Sequence, residues 1–170
     1  MAKEILKYAL MFLLLVLCQV LVFNHICIFN VAIPLVFIFF VLKLPLNLGI
    51  NKVMTLSFLM GLVIDTFSNT YGVNALCCTL LAVSRTPVLH LYLPRQEDLP
   101  NPEPSARNLG LGVFSKYALT LCLLYAVMYF LVESFTVFNL WLTLLRVVCS
   151  AMLTFVIVLA IDGFCNSGRR

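Results

Sequence analysis

Six stretches of this 170-residue chain are almost wholly apolar, and the segments between them are short. They fall at about residues 5–23, 29–44, 52–65, 73–93, 114–132 and 142–161. A helix needs about 20 apolar residues to cross roughly 30 Å of hydrocarbon, and most of these runs approach that length. A soluble domain must cover itself with charge, which takes about a quarter of its residues. Here 63% of residues are apolar and 11% are charged, so no water-facing surface can be assembled. The pattern predicts an all-α membrane protein, with six transmembrane helices packed as one compact bundle over residues 1–170. A transmembrane β-barrel is disfavoured, because the runs are continuous rather than alternating.

The first run follows a basic start, MAKEILK, which is the pattern of a secretory signal. No small-residue cleavage site follows it, and more apolar runs do, so it is expected to remain as the first span. LLVLC, ending at Cys18, has Leu17 where lipidation needs a small residue. The second run is short, about 21 Å from residue 31 if helical. It is expected to borrow residues from the preceding turn or to thin the bilayer, with Pro34 in its first turn. Between the fourth and fifth runs lies PRQEDLPNPEPSAR, residues 94–107, with four prolines and five charges. Proline bars helix continuation and nothing there is apolar enough to bury, which predicts a solvated linker.

The cations then fix a sidedness. Lys3 and Lys7 precede the first run, Lys43 and Lys52 flank the second loop, and Arg85, Arg95, Arg107 and Lys116 surround the linker. Arg169 and Arg170 finish the tail. With six passes all of these lie on one face. The loops of the other face, residues 24–30, 65–72 and 133–141, hold no lysine or arginine, and Arg146 alone breaks the pattern. The positive-inside rule places the cationic face, the linker and both termini in the cytoplasm.

Chemistry-bearing sets are absent from the sequence. The seven cysteines form no CxxC pair, and His25 and His90 lie far apart, so zinc spacing is missing. Cysteine in a span acts as a small apolar residue. There is no phosphate-binding glycine loop, no nucleophile with a base and no paired carboxylates. The expectation is a non-enzymatic protein with no catalytic, cofactor-binding or metal-binding residues and no nucleic-acid partner. Glu133 and Asp162 are expected at the water interface, and His90 has no acidic chain with which to relay protons.

Polar residues concentrate in residues 61–75, GLVIDTFSNTYGVNA. Asp65 is read either as an interface carboxylate bonded to the turn before Gly72, or as a buried acid paired with Arg146. A charge at mid-membrane costs at least about 3 kcal/mol, so such residues usually have partners. Ser57, Gly61 and Asp65 recur at i, i+4 and i+8, a small-residue stripe for a neighbouring span or a partner's helix. Together with Ser68, Asn69, Gly72, Asn74 and Arg146 they form the candidate rim, partner-binding or structural.

QVLVFNHICIFNVAIP (residues 19–34), the central GLVIDTFSNTYGVNAL (residues 61–76) and SRTP (residues 84–87) resemble the MreD family of rod shape-determining membrane proteins. The likeness extends to length and to a plan made of spans, whereas the proline-rich insert and scattered cysteines have no counterpart. It implies a non-catalytic scaffold in the bacterial inner membrane, serving the elongation machinery that builds peptidoglycan. The implied partner is an MreC-like single-span protein, and through it the MreB filament and RodA with its penicillin-binding partner. The alternative is a small-molecule-binding membrane subunit resembling an S component of an energy-coupling transporter. That would need an outward polar pocket, drawn from Asp65, Asn69, Asn74, Glu133 and Arg146. A lipid-handling enzyme lacks the acid–base set.

Overall fold

The computed structural model describes residues 2–23, 33–93, 103–134 and 140–167. The expected turns at 24–30 and 135–139, linker residues 94–102 and the tail arginines Arg169 and Arg170 lie outside the described residues.

Helix formation follows the apolar runs. α1 (Ala2–Cys18) continues as a π-helical turn over Gln19–Phe23. α2 (Ile38–Lys43) is short, α3 (Ile50–Ser68) and α4 (Val73–Tyr92) form a hairpin, and α5 (Ala106–Leu109) is a single turn. α6 (Leu111–Ser134) and α7 (Leu140–Ser167) complete the chain. α3 packs on α4, α4 on α6 and α6 on α7, while α1 leans against α2 and α3. No strand occurs among the described residues. Four helices, α3, α4, α6 and α7, are long and apolar enough to cross a membrane, and residues 6–22 form a shorter apolar helix. Their outward surfaces are oily. Leu6, Leu10 and Leu13 of α1 and Leu144, Met152 and Val156 of α7 are all more than half exposed. In water so much exposed apolar surface would be a liability, whereas lipid solvates it.

The second apolar run departs from expectation. A span was predicted over residues 29–44; among the described residues of that run, 33–37 are not helical and only the six residues of α2 are. Pro34 has no N–H to give a helix and restricts the residue before it. The more important cause is position: residues 34–44 are all buried. Phe40 packs edge-on against Phe12 of α1 at 5.4 Å, and Phe37 against Tyr125 of α6 at 5.6 Å. Non-helical backbone at membrane depth survives only inside protein, where its polar groups find partners.

Those partners are buried side chains. The N–H of Ile33 donates to Ser150 Oγ at 3.0 Å, and that of Leu35 to Thr154 Oγ1 at 3.1 Å. Gln19 serves the backbone that leaves the proline: its Oε1 accepts from Val36 N and its Nε2 donates to Pro34 O, each at 3.0 Å. At the other end Arg85 donates from Nη1 to Val41 O at 3.0 Å and from Nη2 to Pro45 O at 2.9 Å. Arg85 thus closes the carbonyl end of α2, where six residues cannot hold themselves helical.

The linker is corrected in part. Its described end, residues 103–107, is not a free tether, since Ser105 is buried and caps α5 by accepting from Asn108 N at 3.3 Å. Glu103 pairs with Lys7, and Lys43 pairs with Asp162. Asp162, expected at an interface, is fully buried. These contacts gather Lys7, Lys43, Arg85, Glu103 and Asp162 at one end of the bundle. The α3–α4 turn lies at the opposite end.

Candidate functional site

Gly61 sets the geometry of the α3–α4 turn. A Cβ there would lie 2.5 Å from Ala75 Cα, 2.5 Å from Asn74 O and 2.6 Å from Ala75 N. Only hydrogen fits, so the two helices meet backbone to backbone. One turn further along α3, that approach carries Asp65 over the first turn of α4. Its Oδ2 accepts from Ala75 N at 2.8 Å, and its Oδ1 accepts from Asn74 N and Asn74 Nδ2, both at 3.0 Å. The Thr70 hydroxyl donates to Oδ1 as well.

α4 needs this carboxylate because its N-cap residue is Gly72, which has no side chain to bond the first N–H groups. Those groups are orphan donors at the positive end of the helix dipole. Asp65 caps α4 from a different helix, supplying the acceptor and the charge together. Between the two, the chain reverses through Asn69 (φ 54°) and Gly72 (φ 79°), residue types that tolerate the left-handed region. The cluster extends to α6, where the Tyr125 hydroxyl donates to Asn74 Oδ1 at 2.8 Å. Tyr125 also packs on Phe37, so the turn is linked to the interior segment.

The structure brings together four of the eight sequence-predicted residues: Ser57, Gly61, Asp65 and Asn74 are buried between α3 and its neighbours. The small-residue stripe is thus occupied within the chain. Ser68 is half-buried in the last turn of α3, and Asn69 and Gly72 are exposed at the tip. Arg146 stands apart on α7; it is not among the partners of Asp65, and its Nε is buried without a hydrogen-bond partner among the described residues. Asp65 and Asn74, two groups the pocket reading requires, spend their polar atoms on each other, on Thr70, on α4 and on Tyr125.

Sequence reasoning missed Tyr125, and it missed the other face of the hairpin. There α3 and α4 enclose an open groove of about 770 Å³, walled by Phe58 and Leu62 on one side and Leu76 and Leu80 on the other. Asp65 reaches it with a sliver of surface, being 6% exposed. Two of the groove's hydroxyls are satisfied by their own helices: Thr66 donates to Leu62 O at 2.9 Å and Thr79 to Ala75 O at 2.8 Å. The spacing of Phe58 with Leu62, and of Leu76 with Leu80, is i to i+4, which was the available signal for two facing ridges. Such a surface is suited to packing against another apolar body.

Fold and site together define a class: a protein that is helical and strand-free among the described residues, with four helices there able to cross a membrane, consistent with a multi-pass membrane protein. Comparison of the chain with protein-family models, with curated proteins and with solved structures finds no match.

Proposed function

We propose that this protein is an MreD-like scaffold of the bacterial inner membrane, with six passes and both termini in the cytoplasm. It catalyses nothing and instead holds the membrane span of an MreC-like partner. Through that partner it joins the MreB filament and RodA with its penicillin-binding protein. The observation that carries the proposal is the groove beside the braced α3–α4 turn. Most of its lining falls within residues 61–76, the central stretch whose sequence resembles the family, and its walls are apolar ridges whose threonines, Thr66 and Thr79, bond their own helices. Helices in a bilayer associate by close packing, so a rigid groove is worth more to a partner than a merely oily face. Asp65 supplies the rigidity by fixing α4 to α3.

The test is co-purification in mild detergent with the MreC-like protein encoded by the same organism. Leu76→Trp and Leu80→Trp each fill the groove and should abolish co-purification without lowering the thermal midpoint. Leu144→Trp, on the exposed face of α7, should change nothing. Equal recovery of the partner with the filled groove would sink the docking site. A tightly held small molecule with no protein partner would favour the S-component reading instead.

A further inference from the structure

The end of the proline-rich linker lies across the bundle as a strap, fastened in two places. Glu103 pairs with Lys7 and accepts from the Tyr8 hydroxyl at 2.6 Å, both on α1. Three residues on, Ala106 N donates to Asp162 Oδ2 at 3.0 Å. The other oxygen of Asp162 holds the ammonium of Lys43, the last residue of α2. The strap is internally braced, since Asn108 Nδ2 donates to Glu103 O at 2.8 Å. Asp162 on α7 therefore has one oxygen on the strap and one on the interior segment.

We propose that the strap, residues 103–109, and the interior segment, residues 33–44, are one coupled unit: the strap seats α2, and lifting the strap releases it. Asp162 is 0% exposed and Lys43 is 7% exposed. A pair buried this deeply persists only while its remaining bonding sites are filled and water is kept out. Lifting the strap removes the Ala106 N–H and opens the carboxylate to water, which weakens its attraction for Lys43. α2 has little of its own to resist with, being six residues long. In the other direction, drawing Lys43 away takes its ammonium from the buried carboxylate, which favours protonation or hydration of Asp162 and loosens its grip on Ala106. Reciprocity of this kind is required of any two events that share a free energy. The coupling is independent of the groove and of its occupant.

Amide hydrogen exchange on the full chain in lipid nanodiscs tests it, read on peptides covering residues 103–110, 37–45 and 70–80. The first variant, Glu103→Ala with Ser105→Ala, alters only the strap. Its exchange at residues 103–110 should rise at least about tenfold, the change brought by losing one charged hydrogen bond, since the bonds of Glu103 to Lys7 and Tyr8 and the Ser105 cap all go, and residues 37–45 should rise with it. The second, Lys43→Met, alters only the interior segment and should quicken the strap in return. Residues 70–80, around Asp65, should keep their wild-type rate in both. A faster strap over an unchanged α2 overturns the coupling, and so does an unchanged strap. A rise that includes residues 70–80 would also overturn it, because the whole bundle would then be opening.

Discussion

Replacing Gly61 by alanine adds one methyl group where backbone stands in the way. The three atoms it would meet, at 2.5, 2.5 and 2.6 Å, belong to the main chain of Asn74 and Ala75 and cannot rotate aside. Restoring ordinary contact at about 3.5 Å requires the helices to part by about 1 Å. The bonds from Asp65 to Asn74 N and Ala75 N, now 3.0 and 2.8 Å, would stretch as they part. Overpacking costs about 1–3 kcal/mol, and degrading a hydrogen bond to a charged group adds up to about 1.5–3 kcal/mol. The better helix propensity of alanine returns only about 0.5–1 kcal/mol. A net loss of about 2–4 kcal/mol is expected. Gly163, in α7, is the control, because a Cβ there meets nothing within 4 Å. Gly163→Ala should be neutral or stabilising by up to about 1 kcal/mol. Unfolding by SDS in mixed micelles, followed by circular dichroism, compares the two. If Gly61→Ala unfolds at the same SDS fraction as Gly163→Ala, the helices do not meet backbone to backbone and the account of the turn fails.

Two further substitutions probe the buried polar bonds. Asp65→Asn removes the charge and turns an NH₂ group toward N–H donors of α4; a loss of about 2–4 kcal/mol is expected in the same SDS titration. Gln19→Leu strands Val36 N–H and Pro34 C=O inside the bundle, and about 2–5 kcal/mol should be lost, with exchange of the residue 37–45 amides quickened.

The four long helices were legible because each combines length, unbroken hydropathy and a nearby stop, such as the Asn69–Gly72 turn after α3. The stripe at Ser57, Gly61 and Asp65 was legible as a packing face, and the bond from Asp65 to the turn was among the readings offered. Which helix Asp65 caps was not, because the missing cap at Gly72 becomes a signal only once α3 and α4 lie side by side. How the second run is housed was not legible for a plain reason: hydropathy reports that a segment avoids water, not whether lipid or protein surrounds it. Signals were present. Gln19 interrupts an otherwise apolar helix, and Ser150 with Thr154 sits at i and i+4 on α7, a polar ladder with no use on a lipid face. Arg85 was grouped with the interfacial cations, although its fork is committed to two carbonyls. Nothing in the composition of residues 103–107 betrays their return to the bundle, since the lysines that hold or neighbour them come from α1 and α2.

The interior segment also changes what the surrounding bilayer can do to this protein. A short apolar stretch that faced the acyl chains would drag their surfaces inward, and its position would drift with membrane thickness. Residues 34–44 are walled off by other helices, so thicker or thinner lipid can act on them only by tilting the long helices around them. Reconstitution into phospholipids of different chain length should therefore reorient the outer helices while the backbone around Pro34 keeps its register.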